Sequence, residues 1–306
     1  MKYIFVLSGE NLELAEQEVL ALASAKSFHC KDNLLLVDCK KFRFSRLAFC
    51  HKVLKFVFED KNAESIDWNK HCKGSFCVRF KGKSSLEPKI ASVIWKSLKE
   101  PKVDLKNPDT KVEFVESGNK VYCGISLFEN TKQFLSRATK HKPGFHPSSM
   151  NPKLARACVN LSGIKDGIML DPFCGAAGML VEAALMGIKV IGSDIDENML
   201  RLAKKNLKHY KVRAKLIEKD ALNLKLKADA IVTDMPYGRS SSLHKKDAEK
   251  LYNSFLKKAK QLLKKKGRIV MVVPSKAKLK HSFKTVAEID HYVHHTLTRR
   301  IHVLEN

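Results

Sequence analysis

Residues 167–195 read GIMLDPFCGAAGMLVEAALMGIKVIGSDI, and this stretch decides the fold class. An apolar strand-like run ends at Asp171, a glycine-rich turn follows, and a helical pattern then leads to a second apolar run that ends at Asp194. Strands that alternate with helices in this way form a mostly parallel sheet with helices on both faces. We therefore predict a doubly wound α/β fold, whose ligands bind at the carboxyl ends of the strands.

The same alternation continues to the end of the chain. The predicted elements are a helix in DENMLRLAKKNLKHY, strands in RAKLIEKD and ADAIVTD, a helix from about 247 to 265, a strand in GRIVMVV and a terminal β pair in EIDHYVHHTLTRRIHVLE. We place this domain at residues 151–306 and expect a terminal antiparallel strand to complete its sheet.

The chain before this domain predicts two smaller α+β units and a linker. Residues 1–60 predict a ferredoxin-like β-α-β unit, because the strand-like runs KYIFVLSG and NLLLVDC flank the helical pattern NLELAEQEVLALA.

Residues 61–135 predict the second unit. It contains the strand GSFCVRFKGK, the helix LEPKIASVIWKSLKE and a hairpin that turns at Ser117-Gly118-Asn119. After it, SRATKHKPGFHPSSMNP contains three prolines and a glycine, so we predict a linker over residues 136–150.

The composition favours a polyanionic partner. The 306 residues include 57 Lys+Arg against 32 Asp+Glu, and the formal net charge is +25. A basic excess of this size is typical of nucleic-acid binding, although a host with Lys-rich proteins would also produce it.

Eight cysteines without a C-x-x-C pair predict reduced thiols and no metal site. The sequence shows no signal peptide and no apolar run near the ~18 residues of a spanning helix, so we expect a cytoplasmic location and no membrane partner.

Four carboxylates follow the predicted strands of the large domain: Asp171, Asp194, Asp220 and Asp234. The ends of parallel strands meet at one edge, so these side chains should line one crevice. Gly175 and Gly178 let a ligand approach the backbone at a helix N-terminus, but the turn has neither G-K-[ST] nor G-x-G-x-x-G. Asp194 is placed to accept ribose hydroxyls and Asp220 an adenine amine. The alternatives are a tight strand–helix turn and helix-capping carboxylates.

A ribose and adenine site without a phosphate cradle suggests S-adenosylmethionine. The fourth carboxylate lies in TDMPYGRS, residues 233–240, where an acidic residue, a proline and an aromatic residue share one turn after a strand.

These motifs resemble a known family. DPFCGAAG, GSDID, KDA and DMPYG are similar to the motifs of class I methyltransferases that act on amino nitrogens, whose last motif is usually D/N-P-P-Y/F. The flanking stretches KPGFHPSSMNPKLARACVNLSG and HHTLTRRIHVLE, with the THUMP-like KVDLKNPDTKVEF, resemble the archaeal and eukaryotic tRNA guanine-10 N2-methyltransferases. The resemblance covers residues 140–306 best, residues 70–135 less well and earlier residues faintly.

The resemblance implies a Rossmann-like class I methyltransferase domain at 151–306 and a THUMP RNA-binding domain at 61–135. It implies tRNA as substrate and S-adenosylmethionine as cofactor. The residues that match the cofactor motifs are Asp171, Cys174, Gly175, Gly178, Asp194, Ile195, Asp220 and Ala221. The linker residues that match the stretch near the cofactor's amino-acid end are His146, Pro147, Ser148 and Ser149. A structural histidine is the alternative for His146, and Cys174 is expected to be a small packing residue.

We expect the catalytic turn to act through Asp234, Met235, Pro236 and Tyr237. Guanine N2 is a poor nucleophile because its lone pair is delocalised into the ring. The Asp234 carboxylate and a backbone carbonyl of Met235 or Pro236 would accept its two N–H groups, and Tyr237 would stack on the flipped base. The family usually has proline where Met235 stands, so Met235→Pro is expected to keep or raise activity.

RNA contacts are predicted at Arg79, Lys81 and Lys83 on the THUMP-like strand, and at Arg299 or Arg300 near the end of the chain. A charged face of the terminal β pair is the alternative for these two arginines.

Other functions stay open at this point. They are methylation of another guanine such as position 6, a DNA or protein amino-methyltransferase, and an RNA-binding protein without catalysis, for which Met235 is the hint. The eukaryotic members of the family that this chain resembles work with a small zinc-containing activator subunit. Apart from such a partner, we expect this chain to be a monomer.

Overall fold

The computed structural model describes residues 1–25, 27–60, 62–130, 133–147, 149–237 and 245–306. Contacts divide the chain into two compact units. The first contains Met1–Leu12, Ala23–Ser45 and Cys50–Thr131, and the second contains Glu13–Leu22, Arg46–Phe49 and Lys132–Asn306. No helix within these described ranges is both long enough and apolar enough to cross a membrane.

The first unit is built on one seven-stranded sheet. Its strands are β1 Lys2–Leu7, β2 Ser27–Lys31, β3 Leu34–Asp38, β4 Cys50–Glu59, β5 Phe76–Phe80, β6 Thr110–Ser117 and β7 Lys120–Glu129. The strand order is β2-β3-β1-β4-β7-β6-β5, and only the β5–β6 pair is parallel. The predicted hairpin turn is confirmed: Ser117 pairs with Lys120, and Gly118 has a φ of 56°, which favours glycine.

The two units do not coincide with the predicted domains, the first of which ends at residue 60. The strand β4 pairs with β1 on one side and with β7 on the other, so strands from both predicted domains form a single sheet. The helix α1, Leu12–Ala23, was predicted for the first domain, but contacts assign residues 13–22 to the second unit. There the buried Glu18 carboxylate accepts hydrogen bonds from the amides of Ala48 and Phe49 and from the side chain of Asn160. The THUMP assignment of residues 61–135, which contain the helix α2 Glu87–Ser97, stays a prediction.

The second unit has the predicted doubly wound architecture. Its helices are α3 Pro152–Leu161, α4 Gly178–Leu185, α5 Glu197–His209 and α6 Lys245–Leu262. Its strands are β8 Ile168–Asp171, β9 Lys189–Asp194, β10 Lys215–Glu218, β11 Ala228–Asp234, β12 Leu263–Pro274, β13 Lys284–His294 and β14 Leu297–Glu305. The sheet order is β10-β9-β8-β11-β12-β14-β13. The first four strand pairings in this order are parallel and the last two, β12–β14 and β14–β13, are antiparallel, which confirms both the α/β fold class and the terminal β pair.

Two helix predictions were wrong in detail. The helix α6 ends at Leu262, three residues before the predicted end, because β12 begins at Leu263 and Lys266 has a φ of 61°, which no helix allows. The helix α3 was not predicted, because Asn151-Pro152 ends the proline-containing stretch from which the linker was predicted. In the structure Asn151 caps this helix by accepting a hydrogen bond from the Lys153 amide at 2.8 Å, and proline fits its first turn.

A buried ion-pair cluster fixes the predicted linker within the second unit. Glu182 of α4 is 1% exposed and bonds Arg137 from the linker at 2.7 and 3.2 Å. It also pairs with Arg156 of α3 at 2.8 Å, and both guanidinium groups lie over the Phe134 ring. Burial lowers the pKa of the neighbouring Lys142. The linker is therefore held by charge on two helices rather than by apolar packing alone.

Candidate active site

A cleft of about 1720 Å³ lies at the carboxyl ends of the parallel strands of the second unit. The predicted cofactor residues that line it are His146, Pro147, Ser149, Asp171, Cys174, Gly175, Gly178, Asp194, Ile195, Asp220 and Ala221. The predicted catalytic residues that line it are Asp234, Met235, Pro236 and Tyr237. Ser148 lies outside the described residues. The cleft includes the point between β8 and β11 where the strand order reverses, which is where doubly wound folds bind ligands.

Asp234 occupies the end of β11, close to Arg299 of β14. Its Oδ2 is 3.4 Å from the Arg299 Nη2, whereas its Oδ1 is buried and has no hydrogen-bond partner in the described part of the chain. Burial raises the pKa of Asp234 to about 6, although the Arg299 charge and a hydrogen bond from Tyr237 work in the opposite direction. The site therefore contains a carboxylate with an unused acceptor oxygen.

The turn after Asp234 is held by three hydrogen bonds. The Met235 amide donates to the Val272 carbonyl at 3.0 Å and continues the β11–β12 ladder by one residue. The Tyr252 hydroxyl donates to the Pro236 carbonyl at 2.9 Å. The Tyr237 hydroxyl accepts from Arg299 Nε at 2.5 Å, and the guanidinium carbon lies 5.7 Å from the Tyr237 ring centroid. The turn is thus fixed from β12, α6 and β14.

The hydrogen bond of the Met235 amide changes the expectation for Met235→Pro. Proline removes a donor that the structure uses, and Met235 is only 1% exposed in the core. The lost bond costs about 0.5–1.5 kcal/mol and the smaller side chain adds to this, which outweighs an entropic gain of about 0.4–1 kcal/mol. We expect Met235→Pro to lower the urea midpoint while the folded protein still turns over. Met235→Leu, which keeps the amide, is the control; a raised midpoint for Met235→Pro would refute this account.

Asp194 is fixed at the end of β9 by two backbone amides. Its Oδ2 accepts from Gly175 at 2.8 Å and its Oδ1 from Asp196 at 3.0 Å. Each oxygen retains a lone pair for a further donor. Helix capping, the alternative role for Asp194, is performed by Asp196, which caps α5 by accepting a hydrogen bond from the Asn198 amide at 2.8 Å. Gly175 has a φ of 48°, and a Cβ added to it would meet no atom within 4 Å, so the backbone is open to a ligand here.

Asp171 and Asp220 have structural contacts of their own. Asp171 is 3% exposed and accepts from the Thr233 hydroxyl at 2.8 Å. Burial raises the pKa of Asp171 to about 7, and the charges of Asp194 and Asp234 add to that rise. Asp220 caps the short helix at 221–223 by accepting from the Leu222 amide at 2.9 Å, as the capping alternative expected. Both carboxylates shape the strand ends as well as lining the cleft.

Asn206 of α5 joins the linker to the glycine-rich turn. Its side chain is fully buried, accepts from the Gly144 amide at 2.8 Å, and donates to the carbonyls of Gly144 and Ala176 at 3.0 and 2.8 Å. This places the His146 turn against the cleft. Cys174 is 5% exposed there, and burial raises the pKa of its thiol, which suits the predicted packing role.

The predicted RNA-contact residues fall in three settings. Arg299 is 9% exposed inside the cleft, so its predicted contact with a tRNA phosphate does not fit the structure; antiparallel pairing with β12 carries it inward. Arg300, on the opposite face of β14, pairs with Asp290 at 2.7 and 2.8 Å.

The other candidates lie in the first unit. Arg79 donates to the carbonyls of Val78 and Leu105, Lys83 pairs with Glu116 at 2.5 Å, and Lys81 is exposed.

Sequence reasoning missed the turn between β13 and β14 as part of the site. The residues of this hairpin that line the cleft are His291, Tyr292, Val293, His294, Thr296 and Leu297. Tyr292 is 68% exposed and Val293 40% exposed. The run HYVHHT, which puts an aromatic and three histidines at a predicted turn, was the available clue.

Comparisons with known proteins agree with this geometry. The family model described as RMKL-like, methyltransferase domain, matches residues 139–296. A DNA methylase model matches residues 21–205, a span that ends before the turn that follows Asp234.

Two relatives match along their whole length. The tRNA (guanine(10)-N2)-dimethyltransferase of Methanothermobacter thermautotrophicus is 39% identical, with 100% of this chain and 99% of the relative covered. The protein of the same name from Pyrococcus abyssi is 33% identical over the same shares. The crystal structure of TrmN from Thermus thermophilus matches all of both chains with a TM-score of 0.53 at 21% identity, which supports the fold alone. The chain therefore belongs to the tRNA (guanine(10)-N2)-dimethyltransferase family of class I methyltransferases.

Proposed function

We propose that this chain transfers methyl groups from S-adenosylmethionine to the exocyclic N2 of guanosine 10 in tRNA. The family assignment supports the reaction. The structural observation that carries it is the buried Asp234 Oδ1, which has no hydrogen-bond partner among the described residues. A buried carboxylate oxygen without a donor costs about 1–3 kcal/mol, and an amino group of the substrate is the donor that would remove this cost.

The cleft residues fit S-adenosylmethionine. The open backbone at Gly175 admits a ligand, and Asp194 offers two fixed carboxylate oxygens to ribose hydroxyls. Ile195 is 74% exposed, and its apolar side chain would pack against an adenine ring. Asp220 would accept from the adenine amine, and the turn at His146 and Ser149 would lie near the amino-acid end. When bound, this cofactor supplies an electrophilic methyl carbon, and its sulfur keeps the electron pair of the bond that breaks.

Two acceptors on the catalytic turn would activate the guanine. Asp234 accepts one N2–H, and rotation of the carboxylate about χ2 brings either oxygen to the cleft. Because the Pro236 carbonyl already accepts from Tyr252, we assign the second N2–H to the Met235 carbonyl. Holding both N–H groups localises the N2 lone pair and aims it at the methyl carbon. The proton that N2 loses passes to Asp234 or to water.

The Tyr237 ring would stack on the flipped base. Its hydroxyl is held by Arg299, so the ring orientation is set before the substrate arrives. The exposed Tyr292, on the β13–β14 hairpin, also lines the cleft and offers a second aromatic surface there. Stacking contacts of this kind select a planar base without reading its position in the tRNA.

Methyl transfer to an unmodified tRNA transcript tests the proposal. The purified chain is incubated with labelled S-adenosylmethionine and the transcript, and the modified nucleoside is mapped by mass spectrometry. We expect N2-methylguanosine or N2,N2-dimethylguanosine at position 10. Label at position 6 would support the alternative target, cofactor binding without transfer would support the non-catalytic RNA-binding protein, and label only in DNA or protein would refute the proposal. Full turnover by the chain alone would show that it needs no activator subunit.

The basic surface of the first unit should make tRNA affinity strongly salt-dependent. We expect the logarithm of the association constant to fall linearly with the logarithm of salt concentration, at about 0.7–0.9 per phosphate contacted. Lys81→Ala should reduce this slope by about 1, because Lys81 is exposed, whereas Arg79 and Lys83 have protein partners. Filter binding across a salt series measures both slopes. A flat response would exclude the basic surface as the tRNA contact.

A further inference from the structure

Arg299 is a nearly buried cation inside the proposed methyl-transfer site. It projects from β14, 62 residues after Tyr237, and donates from Nε to the Tyr237 hydroxyl at 2.5 Å. Its Nη2 lies 3.4 Å from the Asp234 Oδ2, and its guanidinium is 5.7 Å from the Tyr237 ring centroid. Burial opposes its charge, but Asp234 and Tyr237 raise the pKa of Arg299 above its usual value. An arginine side chain is protonated throughout the ordinary pH range, and these two neighbours reinforce its charge.

We propose that Arg299 is a positioning residue for methyl transfer, which keeps the Asp234 carboxylate ionised and the Tyr237 ring in its stacking orientation. The inference rests on the proposed function, since it assumes that Asp234 accepts a hydrogen bond from guanine N2. Nothing in the motif that contains Asp234 and Tyr237 identifies this third residue, because β14 reaches the site only through its pairing with β12.

The charge of Arg299 matters because the other groups around Asp234 favour its neutral form. Asp171, on β8, is buried, and its ionised form repels a charge on Asp234. Tyr252 of α6 and Cys158 of α3 stay neutral, since burial and the Asp234 charge raise the pKa of Tyr252 to about 12 and raise the pKa of the Cys158 thiol. Among the described residues, the groups that favour the Asp234 anion are Arg299 and the Tyr237 hydroxyl.

The ionised form is the one that the reaction needs. A carboxylate accepts two hydrogen bonds and attracts the positive charge that develops on N2, whereas a neutral carboxylic acid uses one oxygen as a donor. Loss of Arg299 would leave Asp234, whose side chain is only 20% exposed, near Asp171 without a neighbouring cation. The pKa of Asp234 should then rise from about 6 to above neutrality.

The pH dependence of single-turnover methyl transfer tests this inference. In the wild-type protein the rate should fall as the pH drops through about 6, because Asp234 then takes up a proton. In Arg299→Gln the midpoint should move up by at least one pH unit. The rate at neutral pH should then fall about twofold or more and largely recover near pH 9. Arg299→Lys keeps the charge but loses the forked geometry, so its midpoint should stay near that of the wild type while its maximal rate falls.

Arg268→Gln is the matched control. Arg268 also lies in the sheet of the second unit and pairs with a carboxylate, Glu305 at 2.9 Å, but it lies outside the cleft. Its rate profile should match that of the wild type. Cofactor affinity and the unfolding midpoint are measured for every variant, so that a folding defect is recognised. If Arg299→Gln does not fold, the pH midpoint of the Arg299→Lys rate decides whether the inference holds.

The outcomes separate this inference from the proposed function. A folded Arg299→Gln with an unchanged midpoint, or with the same loss at every pH, would overturn the role of Arg299. So would an Arg299→Lys midpoint shifted as far as expected for Arg299→Gln. If Asp234→Ala retained turnover, the proposed function of Asp234 would fail instead. An inactive Asp234→Ala together with a pH-rescued Arg299→Gln supports both.

Discussion

Asp234→Ala should lower the rate of methyl transfer by about 100- to 1000-fold, the effect of removing a group that stabilises charge in a transition state. The buried Asp234 Oδ1 has no hydrogen-bond partner within the described ranges, so removing this oxygen breaks no hydrogen bond with the protein. Asp194, the carboxylate proposed to hold the cofactor ribose, accepts hydrogen bonds from two backbone amides and should stay in place. Affinity for S-adenosylmethionine, measured by calorimetry, should therefore change little.

Asp234→Asn and Asp247→Ala are the comparison variants. Asparagine keeps one acceptor oxygen, so we expect a smaller loss than with alanine. Asp247 lies in the first turn of α6, its side chain is 50% exposed, and its removal should leave the rate unchanged. Near-normal turnover by Asp234→Ala with intact cofactor binding would show that the carboxylate is not the acceptor.

Glu182→Ala should destabilise the protein by about 3–5 kcal/mol, the cost of breaking a buried ion pair by removing one partner. Glu182 is 1% exposed and carries the ion pairs of Arg137 and Arg156. Burial already lowers the pKa of Arg156, and its Nε has no hydrogen-bond partner in the described ranges. The variant would leave the buried Arg156 guanidinium and the largely buried Arg137 guanidinium without their carboxylate. Urea unfolding followed by circular dichroism measures the change.

Glu197→Ala is the matched control for this prediction. Glu197 also pairs with an arginine, Arg201 at 3.8 Å, but both side chains are more than half exposed. Its removal should cost less than about 1 kcal/mol. Equal stability changes for the two variants would show that the Glu182 cluster does not anchor the linker. Besides its loss of stability, Glu182→Ala should also weaken cofactor binding, because the same linker carries His146 and Ser149 into the cleft.

Local patterns were sufficient to predict the core of the second unit. Apolar runs that end in Asp171, Asp194 and Asp234 predicted β8, β9 and β11, and parallel pairing brings those ends to one cleft. The turn at Gly118 was also predictable, since its positive φ is a local requirement. These features depend on residues close together in sequence, where periodicity and turn chemistry determine the outcome.

Long-range pairing could not be predicted in the same way. The pairing of β4 with β7 merges two predicted domains into one sheet, and no local pattern encodes it. The register that sets Arg299 opposite Pro274 turns an apparent surface arginine into a neighbour of Asp234. Besides the prolines before it, the helix α3 was missed because its polar residues, such as Asn160, are buried in hydrogen bonds to distant segments. Each error arose where a contact partner lies far away in sequence.

Replacing guanosine 10 of a tRNA transcript by inosine tests the central claim most directly. Inosine lacks the exocyclic N2 amino group but keeps the rest of the base, so tRNA folding and stacking on Tyr237 are little disturbed. We predict that methyl incorporation from labelled S-adenosylmethionine is abolished in this transcript, and that it is unchanged when inosine replaces a guanosine at position 6. Incorporation that persists with inosine at position 10, or that disappears with inosine at position 6, would contradict the account.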